Sequence, residues 1–307
     1  ASPDDRITLA FDGSSAGQVM FVPSISGVLG ADTLRLVAPA HVTANGHMIG
    51  DGRPASRRRR ASVADAPQSP PSLGITPPAA AGAQSVDLSA NLPPVGDQGA
   101  QESCGAWAST YAIRSYLEHV RNADWGLTGD GPGGIDVSHV FSPAFMYDAL
   151  DGGVDNGLVW LDVAKFLLND GAIPWRDLPY RDTVFTPIPP AVDFSDALKF
   201  RVKSAFKIKL TDLALIKTYL AAGYPVFWGA EVDNAFDNIN STNPVWQPDF
   251  ANLAGHALTI VGYDDVQARF IFRNSWGASF GVNGNGFVSY ADFLNRRLTD
   301  TLYVFVP

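Results

Sequence analysis

The feature that most constrains the fold is a change near residue 200 in the spacing and type of the hydrophobic residues. Between Cys104 and Asp170 the apolar and aromatic residues recur at the spacing of helices. From Val202 onward the apolar stretches are short and rich in β-branched and aromatic residues, which is typical of strands. A helical half followed by a β-rich half predicts an α+β protein of two lobes. The cleft between such lobes is a preferred place for a ligand.

Local signals define the individual elements. A helix is expected to begin at Cys104 and run to Arg121. The third helix should end before Gly171, because Gly followed shortly by Pro174 is a common helix stop. The β-rich half should contain one helix, Asp212 to Ala222, and four strands: Val226 to Trp228, His256 to Tyr263, Phe270 to Phe272 and Leu302 to Val306.

Residues 1–85 differ in composition from the rest and form a predicted N-terminal extension. Short strand-like stretches occur before Ala44, and from Asn45 to Gln84 the chain is rich in Gly, Pro, Ala, Ser and Arg with little apolar periodicity. That composition indicates a linker or mobile segment. The run Arg57 to Arg60 is interpreted as solvated, protease-sensitive chain in preference to a polyanion-binding patch. Ordered patterns resume near Val86, so residues 86–307 are the predicted main domain.

Composition excludes several classes of function. The net charge of −9 argues against nucleic-acid binding, which needs a concentrated excess of Lys and Arg. No apolar run reaches the roughly 20 residues that cross a bilayer, so no membrane span is expected. The single cysteine excludes an intramolecular disulfide and a multi-thiolate metal site. No signal-peptide pattern follows Ala1, so the compartment stays open, with a secreted or periplasmic location slightly favoured.

Cys104 is the candidate nucleophile, although a lone cysteine is usually an inert buried residue. It follows the polar loop Gln98-Gly99-Ala100-Gln101-Glu102-Ser103 and begins the first helix. The positive end of a helix dipole lowers the pKa of a thiol and raises its thiolate fraction. We therefore expect a reactive sulfur that is exposed in the cleft, and a buried sulfur would count against this hypothesis.

A thiolate nucleophile also needs a proton carrier, and histidine suits that task near neutral pH. His256 follows Ala254-Gly255, where the backbone can pass close to a partner, and it opens the apolar run from Ala257 to Gly262. Such a run predicts a buried strand that holds the ring rigidly. The other histidines are assigned to surface or cap positions: His41, His47, His119 and His139.

Asn274 is the candidate that would orient this imidazole. It ends the next strand-like segment, which starts at Arg269, and adjacent antiparallel strands would bring it beside His256. Its side-chain oxygen could accept the imidazole N–H and fix the tautomer. The alternative is a turn residue, because Ser275-Trp276-Gly277 looks like the entry to a loop.

These three regions together resemble the papain-like cysteine peptidases, in a disulfide-poor, microbial type. Asp97-Gln98-Gly99 through Ser103-Cys104-Gly105-Ala106-Trp107-Ala108 is similar to the nucleophile region, with the family's spacing of 104 − 98 = 6 from Gln to Cys. Gly255-His256-Ala257 with Val261-Gly262-Tyr263 resembles the histidine block. Asn274-Ser275-Trp276-Gly277 with Asn283-Gly284 and Gly286-Phe287 resembles the asparagine block. The resemblance covers roughly residues 86–307, and the extension lacks the family's helical propeptide pattern.

The resemblance implies a papain-like fold with a helical left lobe, a β-barrel-like right lobe and no cofactor. Cys104 would attack a peptide carbonyl and form a thioester, with His256 as general base and acid and Asn274 orienting it. The side-chain amide of Gln98 and the backbone N–H of Cys104 would stabilise the oxyanion. Trp276 would shield the His–Asn hydrogen bond. The expected substrate is an extended polypeptide.

Three departures from the family pattern affect these expectations. The position of a disulfide-forming cysteine is occupied near Gln101, so packing and hydrogen bonds must hold the nucleophile loop. Gly105 replaces the Trp that normally follows the nucleophile, and a glycine there could loosen the helix. Only Gly152-Gly153 and Asn156-Gly157 approximate the glycine-rich substrate strand, and they are either backbone partners of a peptide or a turn.

Ala257 and the strand from Val226 to Val232 are expected to line the main specificity pocket.

Three alternatives stay open. The same chemistry can pass the acyl group to an amine, giving a transpeptidase-like or transglutaminase-like transferase. The Gly105 departure is also compatible with a non-catalytic peptide-binding relative. The extension is interpreted as a propeptide or cleft cover of a self-inhibited zymogen. On this interpretation, a chain that starts near Val86 would be more active than the full chain. The alternative is that the extension is an accessory or targeting segment.

Overall fold

The computed structural model describes residues 41–42, 48–49, 63–80, 82–185 and 194–307. Strands β1 (His41–Val42) and β2 (Met48–Ile49) pair antiparallel with each other. Several sequence-based expectations lie outside the described residues: the strand-like stretches 7–11, 18–22 and 33–37, His47, and the arginine run 57–60.

Part of the predicted linker is packed on the β-rich half. This part, residues 63–80 and 82–84, is called the strap below; it includes β3 (Ala64–Asp65) and ends where β4 (Ser85–Asp87) begins. Three tyrosine hydroxyls donate hydrogen bonds to carbonyl groups of the strap: Tyr219 to Pro67 (3.2 Å), Tyr224 to Pro71 (2.9 Å) and Tyr263 to Ala83 (2.8 Å). Leu73 is buried in the core. The expectation of a mobile linker is therefore wrong for these residues.

The first helix begins at Cys104, as predicted, but changes its winding. It starts as α1 (Cys104–Ala106), continues as a π-helix (Trp107–Arg114) and ends as α2 (Ser115–Arg121). The hydroxyl of Ser109 donates a hydrogen bond of 2.6 Å to the Gly105 carbonyl. A π-helical stretch of this kind is uncommon and occurs most often at functional sites, and no pattern in the sequence indicates it.

Three further helices complete the helical half: α3 (Pro143–Leu150), α4 (Trp160–Asn169) and the short α5 (Phe194–Ala197). The stop after α4 is the predicted one. Gly171 has a φ of 84°, a left-handed conformation that favours glycine, and its N–H donates to the Phe166 carbonyl at 3.0 Å.

The β-rich half contains the predicted helix and strands with some additions. In chain order its elements are β5 (Ser204–Lys207), α6 (Leu213–Ala221), β6 (Val226–Val232), β7 (Val245–Trp246), β8 (Ala254–Asp264), β9 (Arg269–Arg273), β10 (Asn285–Ser289), α7 (Tyr290–Phe293) and β11 (Thr299–Val306). Asp212 caps α6 by accepting the N–H of Leu215 at 3.0 Å. Sequence analysis missed β5 and β10, because each is short and half-exposed.

The strands from β3 onward form one nine-stranded sheet in the order β3-β5-β11-β6-β8-β9-β10-β7, with β4 paired to β8. Strand β8 lies between β6 and β9 and is buried along almost its whole length. An apolar run without alternation is typical of such a strand, which is covered on both faces. The α+β class with a helical part and a β-rich part is confirmed. None of the described helices is long and apolar enough to span a bilayer.

Candidate active site

Cys104 begins helix α1, which contacts the central strand β8 that carries His256. Both side chains have 0% exposure. The expectation of an exposed sulfur is therefore not met. Helix α1 packs on β8, and strand β2 of the extension also contacts β8.

His256 and Asn274 form the hydrogen bond that the sequence predicts. His256 Nε2 lies 2.8 Å from Asn274 Oδ1. The N–H of Ser275 donates to the same oxygen at 2.8 Å, which identifies it as the oxygen end of the amide. An amide oxygen only accepts, so Nε2 carries a proton, and Nδ1 is the ring nitrogen that can exchange a proton with a thiol.

Aromatic rings surround the His–Asn pair. The ring centroid of Trp276 lies 5.0 Å from that of His256, and Phe236 lies 5.8 Å from the same imidazole. Phe280 packs on the other side of Trp276 at 5.6 Å. Water is kept away from the hydrogen bond by these rings, and a hydrogen bond is electrostatically stronger in such a low-dielectric setting.

Gln98 is fully buried and is tied to the loop that follows Asn274. Its backbone N–H donates to the Ser275 carbonyl at 2.8 Å, and its Oε1 accepts the Ser275 hydroxyl at 2.7 Å. Its Nε2 donates to the Gln101 carbonyl at 2.8 Å. These contacts fix which end of the amide is the donor, and they join the residues before the nucleophile to the residues after β9.

A short relay of hydroxyl groups adds to the support of Gln98. Tyr180 donates to the Gln98 carbonyl at 2.7 Å, and the Ser103 hydroxyl lies 2.7 Å from the Tyr180 oxygen. Because a carbonyl can only accept, Tyr180 uses its own proton on Gln98 and Ser103 is the donor to Tyr180. Burial raises the pKa of Tyr180, so it keeps that proton. No feature of the sequence indicates Tyr180.

Hydrogen bonds hold the nucleophile loop where the family uses a disulfide. Gln101 Nε2 donates to the Val184 carbonyl at 2.7 Å, and the Glu102 N–H donates to Asp155 Oδ1 at 2.9 Å. The hydroxyl of Tyr147 donates to the same Asp155 oxygen. The partners come from two separate loops, and neither could be identified from spacing along the chain.

Gly105 is a close-packing position. A Cβ at Gly105 would lie 3.1 Å from the Trp160 ring and 3.3 Å from Val163, both on α4. The same indole lies against Gly229 on β6, where a Cβ would meet Trp160 Nε1 at 2.7 Å. Trp160 thus occupies the space beside the nucleophile helix. The expectation that Gly105 loosens this helix is not supported, because the missing side chain lets α4 approach.

The expected substrate-binding residues lie in different places. Gly152 and Gly153 have φ values of 75° and 80° and form a turn in which the Gly153 N–H donates to Asp151 at 2.9 Å. Gly157 is buried. Ala257 lines a small cavity behind the His–Asn pair. Their contact with a substrate stays a prediction.

An open polar groove borders Trp276 on its other side. It has a volume of about 530 Å³, and its polar lining residues are Asp237, Asn238, Asn240 and Ser279. Sequence analysis gave no indication of this groove, because its two sides come from segments far apart in the chain. A substrate chain that passes Trp276 would meet these side chains.

His119 and His139 lie outside this arrangement. His119 Nδ1 donates to the Trp125 carbonyl at 2.7 Å, and His139 Nδ1 lies 3.0 Å from Asp136 Oδ2. Both therefore have the cap and surface roles expected of them. Within the described part of the chain, no three His, Cys, Asp or Glu side chains are grouped to hold a metal ion.

The fold is α+β, and its site combines a cysteine at a helix start, a preceding Gln and a His–Asn pair from neighbouring strands. This combination is the one that characterises papain-like cysteine peptidases. Known proteins agree with this class. The chain is 24% identical over 221 residues to an uncharacterised peptidase C1-like protein of Acanthamoeba polyphaga mimivirus, which covers 68% of each chain. The peptidase C39-like family matches residues 180–288, a range that includes His256 and Asn274.

Solved structures extend the comparison to the whole fold. Xylellain, a cysteine protease from Xylella fastidiosa, is similar with a TM-score of 0.58 and 26% identity, over 83% of this chain and 99% of that chain. The bromelain protease of Ananas comosus shares the fold with a TM-score of 0.58 and 17% identity, over 73% of this chain and 99% of that chain. The chain therefore has the fold of the papain-like cysteine proteases.

Proposed function

We propose that this protein is a cysteine endopeptidase that hydrolyses peptide bonds of extended polypeptides through a thioester acyl-enzyme. The observation that supports it most is the 2.8 Å hydrogen bond between His256 and Asn274. His256 lies on strand β8, and helix α1, which begins at Cys104, contacts that strand. A structural histidine needs no such carboxamide. A histidine that must shuttle a proton does, because its ring orientation and tautomer have to be fixed.

The mechanism uses only groups of this chain. The Cys104 thiolate attacks the carbonyl carbon while His256 is protonated, and the resulting oxyanion accepts hydrogen bonds from the Gln98 side-chain amide and the Cys104 N–H. His256 then gives its proton to the leaving amine. In the second half, His256 takes a proton from water, which hydrolyses the thioester and releases the acid.

Labelling with a peptidyl epoxide, followed by mass mapping, tests the nucleophile and its recognition of a peptide together. The adduct should map to Cys104 in the wild-type chain, and the Cys104→Ala variant should neither be labelled nor cleave an unfolded protein. Cleavage that persists in Cys104→Ala would refute the assignment. Product masses that include an added amine would indicate the acyl transferase, and peptide binding without labelling would indicate the non-catalytic relative.

We also propose that the part of the extension before the strap covers the active site, as in a zymogen. The contact between β2 and β8, together with the complete burial of Cys104 and His256, supports this proposal. A chain that lacks residues 1–62 but keeps the strap should be labelled faster and should be more active. Equal activity and equal labelling would show that the extension is an accessory or targeting segment instead.

A further inference from the structure

Arg273 ends strand β9, one position before Asn274. Its Nε donates to Asn285 Oδ1 at 2.8 Å, and its Nη1 donates to the Pro93 carbonyl at 3.2 Å. Pro93 begins the stretch of residues 93–98 that ends at Gln98, called the oxyanion segment below. We propose that Arg273 is a positioning residue that holds the oxyanion segment, and with it the Gln98 amide, in place. This inference rests on the function proposed above.

The oxyanion segment is held at several points, and Arg273 provides the charged contact at its start. Three further hydrogen bonds follow along it: Tyr111 hydroxyl to Pro94 carbonyl (2.6 Å), Gly277 N–H to Gly96 carbonyl (3.0 Å) and Gln98 N–H to Ser275 carbonyl (2.8 Å). A hydrogen bond from a charged donor is stronger than a neutral one. Loss of the Arg273 contact should therefore release the first residues of the segment.

Three consecutive residues serve three different parts of the site. Arg273 binds the start of the oxyanion segment, Asn274 binds His256, and Ser275 binds Gln98. A change at Arg273 thus acts on the segment twice. It acts directly at the first residue of the segment, and it acts on the last residue through Ser275, two positions along the chain.

The task requires a guanidinium. Its planar fork serves two acceptors at fixed angles, whereas an ammonium group is a point charge on a flexible stem. Burial lowers the pKa of Arg273 to about 10, which leaves it protonated at neutral pH. Arg273, Tyr111, Thr259 and Asn274 line a cavity of only about 10 Å³, so an exchanged side chain has little room to find a new arrangement.

Kinetics of Arg273→Lys in the full chain test this role. The Gln98 hydrogen bond acts on the transition state, so kcat for peptide hydrolysis should fall roughly tenfold while KM stays unchanged. Alkylation of Cys104 by iodoacetamide passes through no tetrahedral oxyanion, so its rate should stay within about twofold. An equal fall of both rates would overturn the proposal, because it would indicate general disruption of the site.

Amide hydrogen exchange gives a second readout that needs no activity. The backbone amides of residues 95–98, which follow two prolines that have no N–H, should lose protection in Arg273→Lys. Arg269→Lys is the matched control, because Arg269 starts the same strand and stacks on Phe287 at 3.8 Å; it should change neither kcat nor this protection.

Asn285→Ala completes the experiment, since Asn285 orients the guanidinium. It should lower kcat in the same direction, and the double variant with Arg273→Lys should be no slower than Arg273→Lys alone. Unchanged kcat and unchanged protection in Arg273→Lys would overturn the inference. If neither the full chain nor a chain that lacks residues 1–62 hydrolyses a peptide, that result would instead count against the proposed function, and the exchange data would still decide the role of Arg273.

Discussion

The strap and the group of residues around the His–Asn pair, called the seam below, are both held by hydrogen bonds, but different groups supply the donors and acceptors. In the seam, which comprises Gln98, His256, Asn274 and Ser275, side chains bind one another and fix donor and acceptor directions. In the strap, the backbone supplies the acceptors, and tyrosine hydroxyls of the β-rich half supply the donors. Substitutions in the seam should therefore change reaction rates, whereas removal of the strap should change stability.

The largest effect is expected from Cys104→Ser, which replaces the nucleophile with a group of similar size. Hydrolysis should fall by more than about a thousandfold, because a hydroxyl is a much weaker nucleophile than a thiolate. Unfolding in urea should show a loss of stability of about 1–2 kcal/mol, because a hydroxyl replaces a buried thiol that packs like a small hydrophobic group. A large loss of stability would remove the distinction between seam and strap.

Removal of the strap tests the other side of the comparison. A chain that starts at Ser85 loses the three tyrosine hydrogen bonds, at about 1 kcal/mol each, and the burial of Leu73, at about 2 kcal/mol. We expect it to be less stable by roughly 3–5 kcal/mol than a chain that starts at residue 63, as measured by urea unfolding. If both chains unfold at the same urea concentration, the strap contributes no stability and the simple linker interpretation returns.

The same contrast explains which parts of the fold and of the candidate site can be predicted from the sequence. His256, Asn274 and Cys104 were identified because each lies within a local pattern: an apolar run, a strand end and a helix start. The placement of Asn274 beside His256 follows from the pairing of neighbouring strands, whereas the placement of Cys104 near them is implied by the family resemblance. The strap was misjudged because Pro, Ala and Ser dominate its composition, and its partners Tyr219, Tyr224 and Tyr263 lie more than 100 residues away.

Other features were invisible for the same reason. Tyr180 and Asp155 support the residues around the nucleophile, but nothing in their neighbouring sequence distinguishes them from ordinary loop residues. Gly105 was interpreted through helix propensity alone, since Trp160 beside it becomes apparent only in three dimensions. Patterns along the chain predict elements and motifs, and contacts between distant loops require the fold.

Asp148 on α3 offers a different kind of test, because its buried Oδ1 has no hydrogen-bond partner among the described residues. Burial, with the nearby charge of Asp151, raises its pKa to about 7. The folded state thus binds a proton more tightly than the unfolded state, whose pKa is about 3.9. Stability from this group is present below about pH 4 and is lost as the pH rises toward 7.

Replacing this carboxyl with an amide should reveal that loss. Asp148→Asn should stabilise the protein by about 1–3 kcal/mol at pH 8 and by much less at pH 5. Urea unfolding at the two pH values measures the difference. A stabilisation that is equal at both pH values would mean that the charge of Asp148 is not the cause.

The smallest effect, and the one whose sign decides an interpretation, is expected from Gly105→Ala. If this glycine loosened the nucleophile helix, alanine would stabilise the protein by about 1 kcal/mol. The packing argues the opposite, because the new Cβ would lie 3.1 Å from Trp160, and Gly229 blocks the other side of that indole. We expect a loss of about 1–2 kcal/mol. Trp160→Phe shortens the ring system, so the double variant with Gly105→Ala should recover part of that loss. A Gly105→Ala variant that is more stable than the wild type would restore the interpretation based on helix propensity.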